Sequence, residues 1–355
     1  MAQLKTELPT PALLLDLDVF EGNITRMAAA AQGAGKKLRP HAKAHKCVEI
    51  ARRQIEAGAC GVCVATVSEA ELMAKAGIDG LLLTSPVADA AKIARIVATG
   101  AMAAVDHVRQ VRWYEEAASA SNVQMALLVD LDVGDHRTGA ASIEQALEIA
   151  LAIDQASHLW LRGVQAYSVS GSHGKDTEER ARLSGHAFGI ASEARDAMSA
   201  HGMHTDMISG GSTGTWDVDL EIPHVTELQA GSYPLMDLAY RKSGVDFGHA
   251  MTVMTTVISA NHADFVTVDA GFKAFSTDRA FGPEPVGMPG AAYRWGGDEF
   301  GYLDVAGTNA KPRLGNRIEF LPPHCDPTVN LYDRIYACRG SQVESVWPVM
   351  ERLRV

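Results

Sequence analysis

Residues 61–87 read GVCVATVSEAELMAKAGIDGLLLTSPV. The first six, GVCVAT, make a short apolar run opened by a glycine. Residues 68–77, SEAELMAKAG, then place apolar side chains at helical spacing and stop at a glycine. A second apolar run, GLLLTSPV, follows at 80–87. Ser68, with Glu71 three residues later, reads as a capping box that starts the helix. Short apolar runs bounded by turn residues are strands buried on both faces. A helix between two of them is the parallel βαβ unit.

The same alternation extends both ways. KLRPHAK (37–43) precedes CVEIARRQIEAG, and DAAKIARIVATG leads to AMAAVD (101–106). HVRQVRWYEEAAS leads to VQMALLVDLD (123–132), and SIEQALEIALAIDQAS leads to LRGVQAYS (161–168). A long helical pattern at 178–202 then precedes DMISGG (206–211) and TELQAGSY (226–233). That makes eight strands in a βα rhythm, which predicts a (β/α)8 TIM-like barrel. A doubly wound nucleotide-binding sheet is the competitor. It is disfavoured because neither G-x-G-x-x-G nor G-x-x-x-x-G-K-[ST] occurs.

Beyond about residue 245 the rhythm changes. MTVMTTVISA, FVTVDAGF, RIEFLPPH, DRIYACRG and VESVWPV read as strands without helices between them, a C-terminal antiparallel β domain. PALLLDLD (11–18) is a ninth strand the barrel does not need, so it is expected to join that domain. The expected division is an N-terminal strand segment at 1–19, a barrel at 20–245 and a β domain at 246–355.

Composition narrows the function class. The 355 residues carry a net charge of −11, with 47% hydrophobic and 21% charged residues, the profile of a globular protein. An acidic chain offers no broad cationic face to nucleic acid or anionic lipid. No stretch reaches the roughly 18 apolar residues of a membrane span, and MAQLKTELPTP lacks a signal peptide's apolar core. Five cysteines, an odd number, favour a reducing compartment, and the expected location is the cytoplasm. Cys60 and Cys63 have zinc-like spacing, but in a strand they face opposite ways and read as ordinary core thiols.

A barrel places its chemistry at the C-terminal ends of its strands. Those ends carry Lys43, Thr66, Ser85, Asp106, Arg137, Tyr167, the Ser209-Gly210-Gly211 cluster with Ser212 and Thr213, and Gly231-Ser232-Tyr233. Small residues after strands seven and eight sit at the usual phosphate position of such barrels, although each cluster alone reads equally as a tight turn. In an extended strand Arg39, His41 and Lys43 share a face and Lys43 comes last, at the rim, whereas Lys46 belongs to the next turn. Cationic neighbours favour the neutral amine that an imine needs. A structural lysine paired with a carboxylate is the plainer reading. A rim lysine with a phosphate cradle points to pyridoxal 5′-phosphate held as a Schiff base.

In chain order, TPALLLDLD, RPHAKAHK, GVCVAT followed by EAE, DVGDHRTG, GVQAY, SGGSTGT and ELQAGSY span most of the sequence. The chain resembles the fold-type III pyridoxal-phosphate enzymes, the alanine-racemase-like superfamily, and within it the D-threonine aldolase and D-serine dehydratase group. The resemblance implies that Lys43 is the Schiff-base lysine and that Arg137 and Tyr167 lie beside the cofactor ring. It also implies that the glycine-rich loops hold the phosphate and that the chain forms a homodimer.

The motif PPHCDPTVNLYD (322–333) bears on the subgroup. If it is strand-like, His324 and Asp326 face together and Cys325 faces away. Imidazole plus carboxylate, completed by waters, suits Mn²⁺ or Mg²⁺, yet a lone H-x-D is more often a surface turn. By resemblance, the aldolases of the group carry this motif with histidine and aspartate as metal ligands. The dehydratases place cysteine where Asp326 stands. The implied reaction is cleavage of D-threonine and related D-β-hydroxy-α-amino acids to glycine and an aldehyde. His173, in the YSVSGSHG loop, is a candidate base, although a lone loop histidine is commonly just solvated. Relatives often have a histidine where GGDEFG has Phe300, which bears on substrate range. A D-serine or 3-hydroxy-D-aspartate dehydratase is the alternative. A noncatalytic pyridoxal-phosphate carrier is the alternative outside enzymes, disfavoured by the large C-terminal region.

Overall fold

Strand β1 (Ala12–Asp16) is the early apolar run, and four of its five side chains are buried. In the computed structural model, which describes residues 3–350, the next strands are β2 (Lys37–Leu38), β3 (Cys63–Val64), β4 (Leu82–Leu83) and β5 (Met102–Val105). They are followed by β6 (Met125–Asp130), β7 (Leu159–Ala166), β8 (Met207–Gly210) and β9 (Glu227–Leu228). These eight form one parallel sheet in which β3 to β9 pair in sequence order and β2 lies beside β9. A parallel bridge between His41 and Cys63 joins the segment after β2 to β3, so the sheet closes as a (β/α)8 barrel.

Helices alternate with these strands for reasons visible in the residues. Ala90–Thr99 is capped by Asp89, whose side chain accepts the Lys92 N–H, and it ends at Gly100, left-handed at φ 72°. Its buried side chains are Ile93, Ile96 and Val97, an i, i+3, i+4 stripe. Each contributes about 1.5–3 kcal/mol by leaving water, and removing the Asp89 cap costs about 1 kcal/mol. The helix after β3 starts earlier than the capping-box reading placed it. Its cap is Thr66, which accepts from Glu69 N–H, while the Glu69 carboxylate accepts from Ala65 N–H. Val67 and Ser68 are therefore helical, and Ser68 is buried.

A second, nine-stranded sheet is built from β1 and from β10 (Met251–Ser259), β11 (Phe265–Val268), β12 (Glu284–Pro285) and β13 (Ala292–Trp295). It continues with β14 (Gly301–Asp304), β15 (Arg317–Leu321), β16 (Arg334–Arg339) and β17 (Gln342–Pro348). The N-terminal strand does enter this sheet. It runs antiparallel to β10, with Leu14 opposite Thr252, and parallel to β16, with Leu14 opposite Tyr336. Leu8, Ala12, Leu14, Met254 and Cys338 pack together on one of its faces. The β13–β14 hairpin was not read from the sequence, because its strands are half exposed and lack a continuous apolar run.

Chain contacts group Arg26–Lys43 with Val48–Gly231 in one compact unit. Residues 3–25, Ala44–Cys47 and residues 232–350 form the other. Among the described residues no helix is long and apolar enough to cross a membrane.

Candidate active site

The barrel interior is unusually polar, and its polar groups are linked. Glu227 on β9 takes two hydrogen bonds from Arg39, at 2.8 Å each, and one from Ser209 Oγ at 2.8 Å. Gln229 donates to Ser209 Oγ at 3.0 Å and to Gln165 Oε1 at 3.2 Å. Gln165 in turn donates to Asp130 and to the Thr84 carbonyl, both at 2.8 Å, and Thr138 Oγ1 donates to Asp130 at 2.9 Å. Burial pushes the Asp130 carboxyl up to about 6, against the pull of the Gln165 and Thr138 hydrogen bonds. Burial also works against the Arg39 charge, but the Glu227 hydrogen bonds and charge outweigh it and hold that pKa above its usual value. Sequence reading missed Thr84, Asp130, Gln165, Glu227 and Gln229. The available signal was a polar side chain at a strand position where a barrel normally buries a branched apolar one.

Above this chain of hydrogen bonds lies a cavity of about 280 Å³ whose walls include His41, Lys43, Thr84, Arg137, Gln165 and Tyr167. Lys43 Nζ lies 5.5 Å from the Tyr167 ring centroid, and the Arg137 guanidinium carbon lies 4.9 Å from the same centroid. The structure thus brings Lys43, Arg137 and Tyr167 together. Lys43 does not extend a strand as expected. Pro40 supplies no ladder donor, β2 ends at Leu38, and Ala42–Ala44 form a 3-10 turn that carries the lysine. His41 is its neighbour, with Nε2 3.0 Å from Thr84 Oγ1. Lys46 is in a left-handed conformation at φ 47° and does not line the cavity.

The SGGSTGT loop leaves β8 in a tight coil. Gly211 has φ +74°, and a Cβ there would lie 2.2 Å from Asp219 Oδ2; at Gly210 it would lie 1.8 Å from the Ala166 carbonyl. Neither position takes a side chain. Ser212 N–H donates to Thr215 Oγ1 at 3.1 Å, and Gly214 N–H to Ser212 Oγ at 3.0 Å. Thr215 Oγ1 donates to Asp219 at 2.5 Å, and Ser184 Oγ donates to its other oxygen. Asp219 is fully buried, and that burial pushes its carboxyl up to about 7 despite both hydroxyl donors. Thr213 is buried, and Gly231 abuts His41. A coil of small residues and hydroxyls at a barrel strand's C-terminal end fits a phosphate group, and the cavity has room for a pyridine ring beside Lys43.

His324 and Asp326 belong to the second unit and lie in a turn, not a strand. His324 caps the short helix Cys325–Val329 in extended conformation (φ −146°, ψ 130°), and Asp326 occupies the first turn. The two side chains still converge, with His324 Nε2 3.8 Å from Asp326 Oδ2. Donors about 2.0–2.2 Å from a shared cation at roughly 90–120° lie roughly 3–4 Å apart, so the pair fits a divalent ion. Among the described residues no set of three or more such side chains converges to hold one, so waters would complete the coordination. Ser276 Oγ accepts the His324 N–H at 3.1 Å, and buried Asp237 accepts the Cys325 N–H at 2.8 Å. Asp278 Oδ2 lies 2.7 Å from His324 Nδ1. Ser232, expected near a phosphate, donates to Asp326 at 3.3 Å, and Tyr233 is buried with its ring 5.7 Å from Phe247. Cys325 is fully buried, and burial first, with Asp237 and Asp326 beside it, pushes its thiol well above the usual value.

His173 is half-buried at the end of the helical turn Val169–Ser172 and does not line the Lys43 cavity. Phe300 is 45% exposed.

Residues 15–237 match the model of the alanine racemase N-terminal domain. The chain belongs to the alanine racemase family. Within it, residues 250–338 match a serine dehydratase domain, which places this member in the D-threonine aldolase and D-serine dehydratase group. A D-threonine aldolase of Arthrobacter sp. is 38% identical, over 97% of this chain and 92% of that one. A 3-hydroxy-D-aspartate aldolase of Paracoccus denitrificans (strain Pd 1222) is 34% identical, over 98% and 93%. The crystal structure of D-threonine aldolase from Filomicrobium marinum superposes with a TM-score of 0.95 at 35% identity, covering 98% of this chain and 97% of that chain. The alanine racemase family is one of pyridoxal-phosphate enzymes acting on amino acids.

Proposed function

We propose that this enzyme, by kinship a pyridoxal-phosphate-dependent D-amino-acid lyase, is an aldolase that also requires a divalent metal. It would cleave D-threonine and related D-β-hydroxy-α-amino acids to glycine and an aldehyde. The observation that carries the reading is the H-x-D pair. His324 is followed two residues later by a carboxylate, Asp326, which converges on it, where the resembling dehydratases have a cysteine. A carboxylate with an imidazole favours Mn²⁺ or Mg²⁺, whereas a thiolate would favour zinc.

Lys43 would anchor the cofactor, Arg137 and Tyr167 would flank its ring, and the 209–213 and 231–233 segments would hold its phosphate. The cofactor supplies an electron sink for the pair left on Cα when the Cα–Cβ bond breaks. His324 and Asp326 would hold a cation whose Lewis acidity lowers the pKa of the substrate's β-hydroxyl, and His173 is the proposed base for that proton. The small-molecule substrate class and a homodimeric assembly belong to the same reading.

The test is product analysis with D-threonine, pyridoxal 5′-phosphate and Mn²⁺. Acetaldehyde and glycine, lost with a chelator, support the aldolase. Ammonia and 2-oxobutanoate make it a dehydratase. Cofactor bound without turnover of D-threonine, 3-hydroxy-D-aspartate or D-serine makes it a carrier. Light scattering behind size exclusion reads the assembly, and a monomer at working concentration would overturn the dimer.

A further inference from the structure

The two ring nitrogens of His324 have different surroundings. Nδ1 lies 2.7 Å from the Asp278 carboxylate, and Nε2 lies 3.8 Å from Asp326, beyond hydrogen-bond range. Arg279 also approaches Nδ1, at 3.5 Å, and its Nε lies 3.4 Å from the same Asp278 oxygen. The carboxylate and the guanidinium ask opposite things of Nδ1. A carboxylate needs a proton there, and an arginine donor needs a lone pair. The shorter contact decides, because 2.7 Å is a strong charge-assisted hydrogen bond and 3.5 Å is marginal.

We infer that Asp278 is a positioning residue that keeps the proton of His324 on Nδ1 and so presents the Nε2 lone pair beside Asp326 for a divalent cation. The inference rests on the reading of His324 and Asp326 as cation ligands. Ser276 fixes the backbone of His324, but a backbone contact leaves the ring free to rotate and its tautomer unset. Asp278 supplies both restraints, in the manner of carboxylates that stand behind metal-binding histidines. It lies outside the H-C-D motif, 46 residues earlier in the chain, and its side chain is 41% exposed, so replacing it removes little packing.

The experiment titrates chelator-stripped protein with Mn²⁺ and reads free ion by electron paramagnetic resonance. Asp278→Ala is expected to weaken binding about 10–100-fold. Asp278→Asn, whose amide oxygen still accepts from Nδ1–H, is expected to lose less, and His324→Ala to lose the site. Wild-type affinity in Asp278→Ala, with binding lost in His324→Ala, would overturn the positioning role and leave the ligand reading standing. Equal binding by wild type and His324→Ala would instead overturn the ligand reading. A ¹H–¹⁵N spectrum of the metal-free wild type reads the tautomer without any Asp278 variant. The His324 signals, identified by their absence in His324→Ala, should place the proton on Nδ1, and a proton on Nε2 would also overturn the inference.

Discussion

Glu227 grips Arg39 with both carboxylate oxygens at 2.8 Å, and the two side chains are 0% and 6% exposed. The pair joins β9 to the segment after β2, where the last barrel strand meets the first. Breaking it leaves a guanidinium buried without its counter-charge. Glu227→Ala should therefore cost about 3–5 kcal/mol, read as a fall in the urea midpoint with an unchanged slope. A shift worth less than about 1 kcal/mol would mean the pair is idle.

Lys43 lines the cavity with Arg137 and Tyr167, and Lys46 does not. Lys43→Ala should abolish the visible absorbance that appears when pyridoxal 5′-phosphate is added, together with turnover. Lys46→Ala should keep both. The reverse pattern would move the anchor to Lys46.

Asp219 lies under the SGGSTGT loop, and burial raises its carboxyl from 3.8 to about 7. The folded state therefore holds a proton that the unfolded state has released between about pH 4 and pH 7. Its contribution to stability is fully present below pH 4 and is lost as pH rises through 7. At that limit the charged carboxylate costs on the order of 4 kcal/mol. Asp219→Asn should flatten this part of the stability–pH curve, followed by urea unfolding at several pH values. An unchanged slope would show that Asp219 is not the group responsible.

The cysteines give an independent check on the barrel interior. Cys47, Cys63, Cys325 and Cys338 are buried, while Cys60 is exposed. Its sulfur nevertheless turns inward, 3.4 Å from Glu227 Oε2, and this partial burial, followed by the Glu227 charge, pushes the thiol pKa up to about 11. A thiol-reactive dye at neutral pH should label native protein at one site, slowly, and faster as pH rises. Rapid labelling of several thiols would contradict the burial pattern.

Much of this was legible in the residues. The periodic switch between apolar runs and amphipathic stretches exposed the barrel, because each strand is buried on both faces and each helix on one. The pairing of β1 with the C-terminal strands followed from an apolar run the barrel had no place for. Lys43 and the H-x-D motif were found through residue type and local order. Their backbone settings were misread, because a 3-10 turn after Pro40 and a helix cap at His324 depend on partners far along the chain. The Arg39-to-Thr138 hydrogen-bond chain was illegible for the same reason. Its members come from seven separated segments, and only closure of the sheet makes them neighbours. Asp278 carried no signal at all, being an ordinary loop carboxylate until His324 folds beside it.

The place of β1 between β10 and β16 also bears on how the protein is made. Barrel strands from β4 to β9 each pair with the strand synthesised just before. Leu14, by contrast, must wait for Thr252 and Tyr336. The ALLLD strand therefore leaves the ribosome early and stays without its sheet until almost the whole chain has emerged, an apolar edge open to wrong partners. Chains arrested near residue 245 should resist protease across the barrel and be cut near β1. Equal protection of both segments would show that β1 finds shelter before its strands exist.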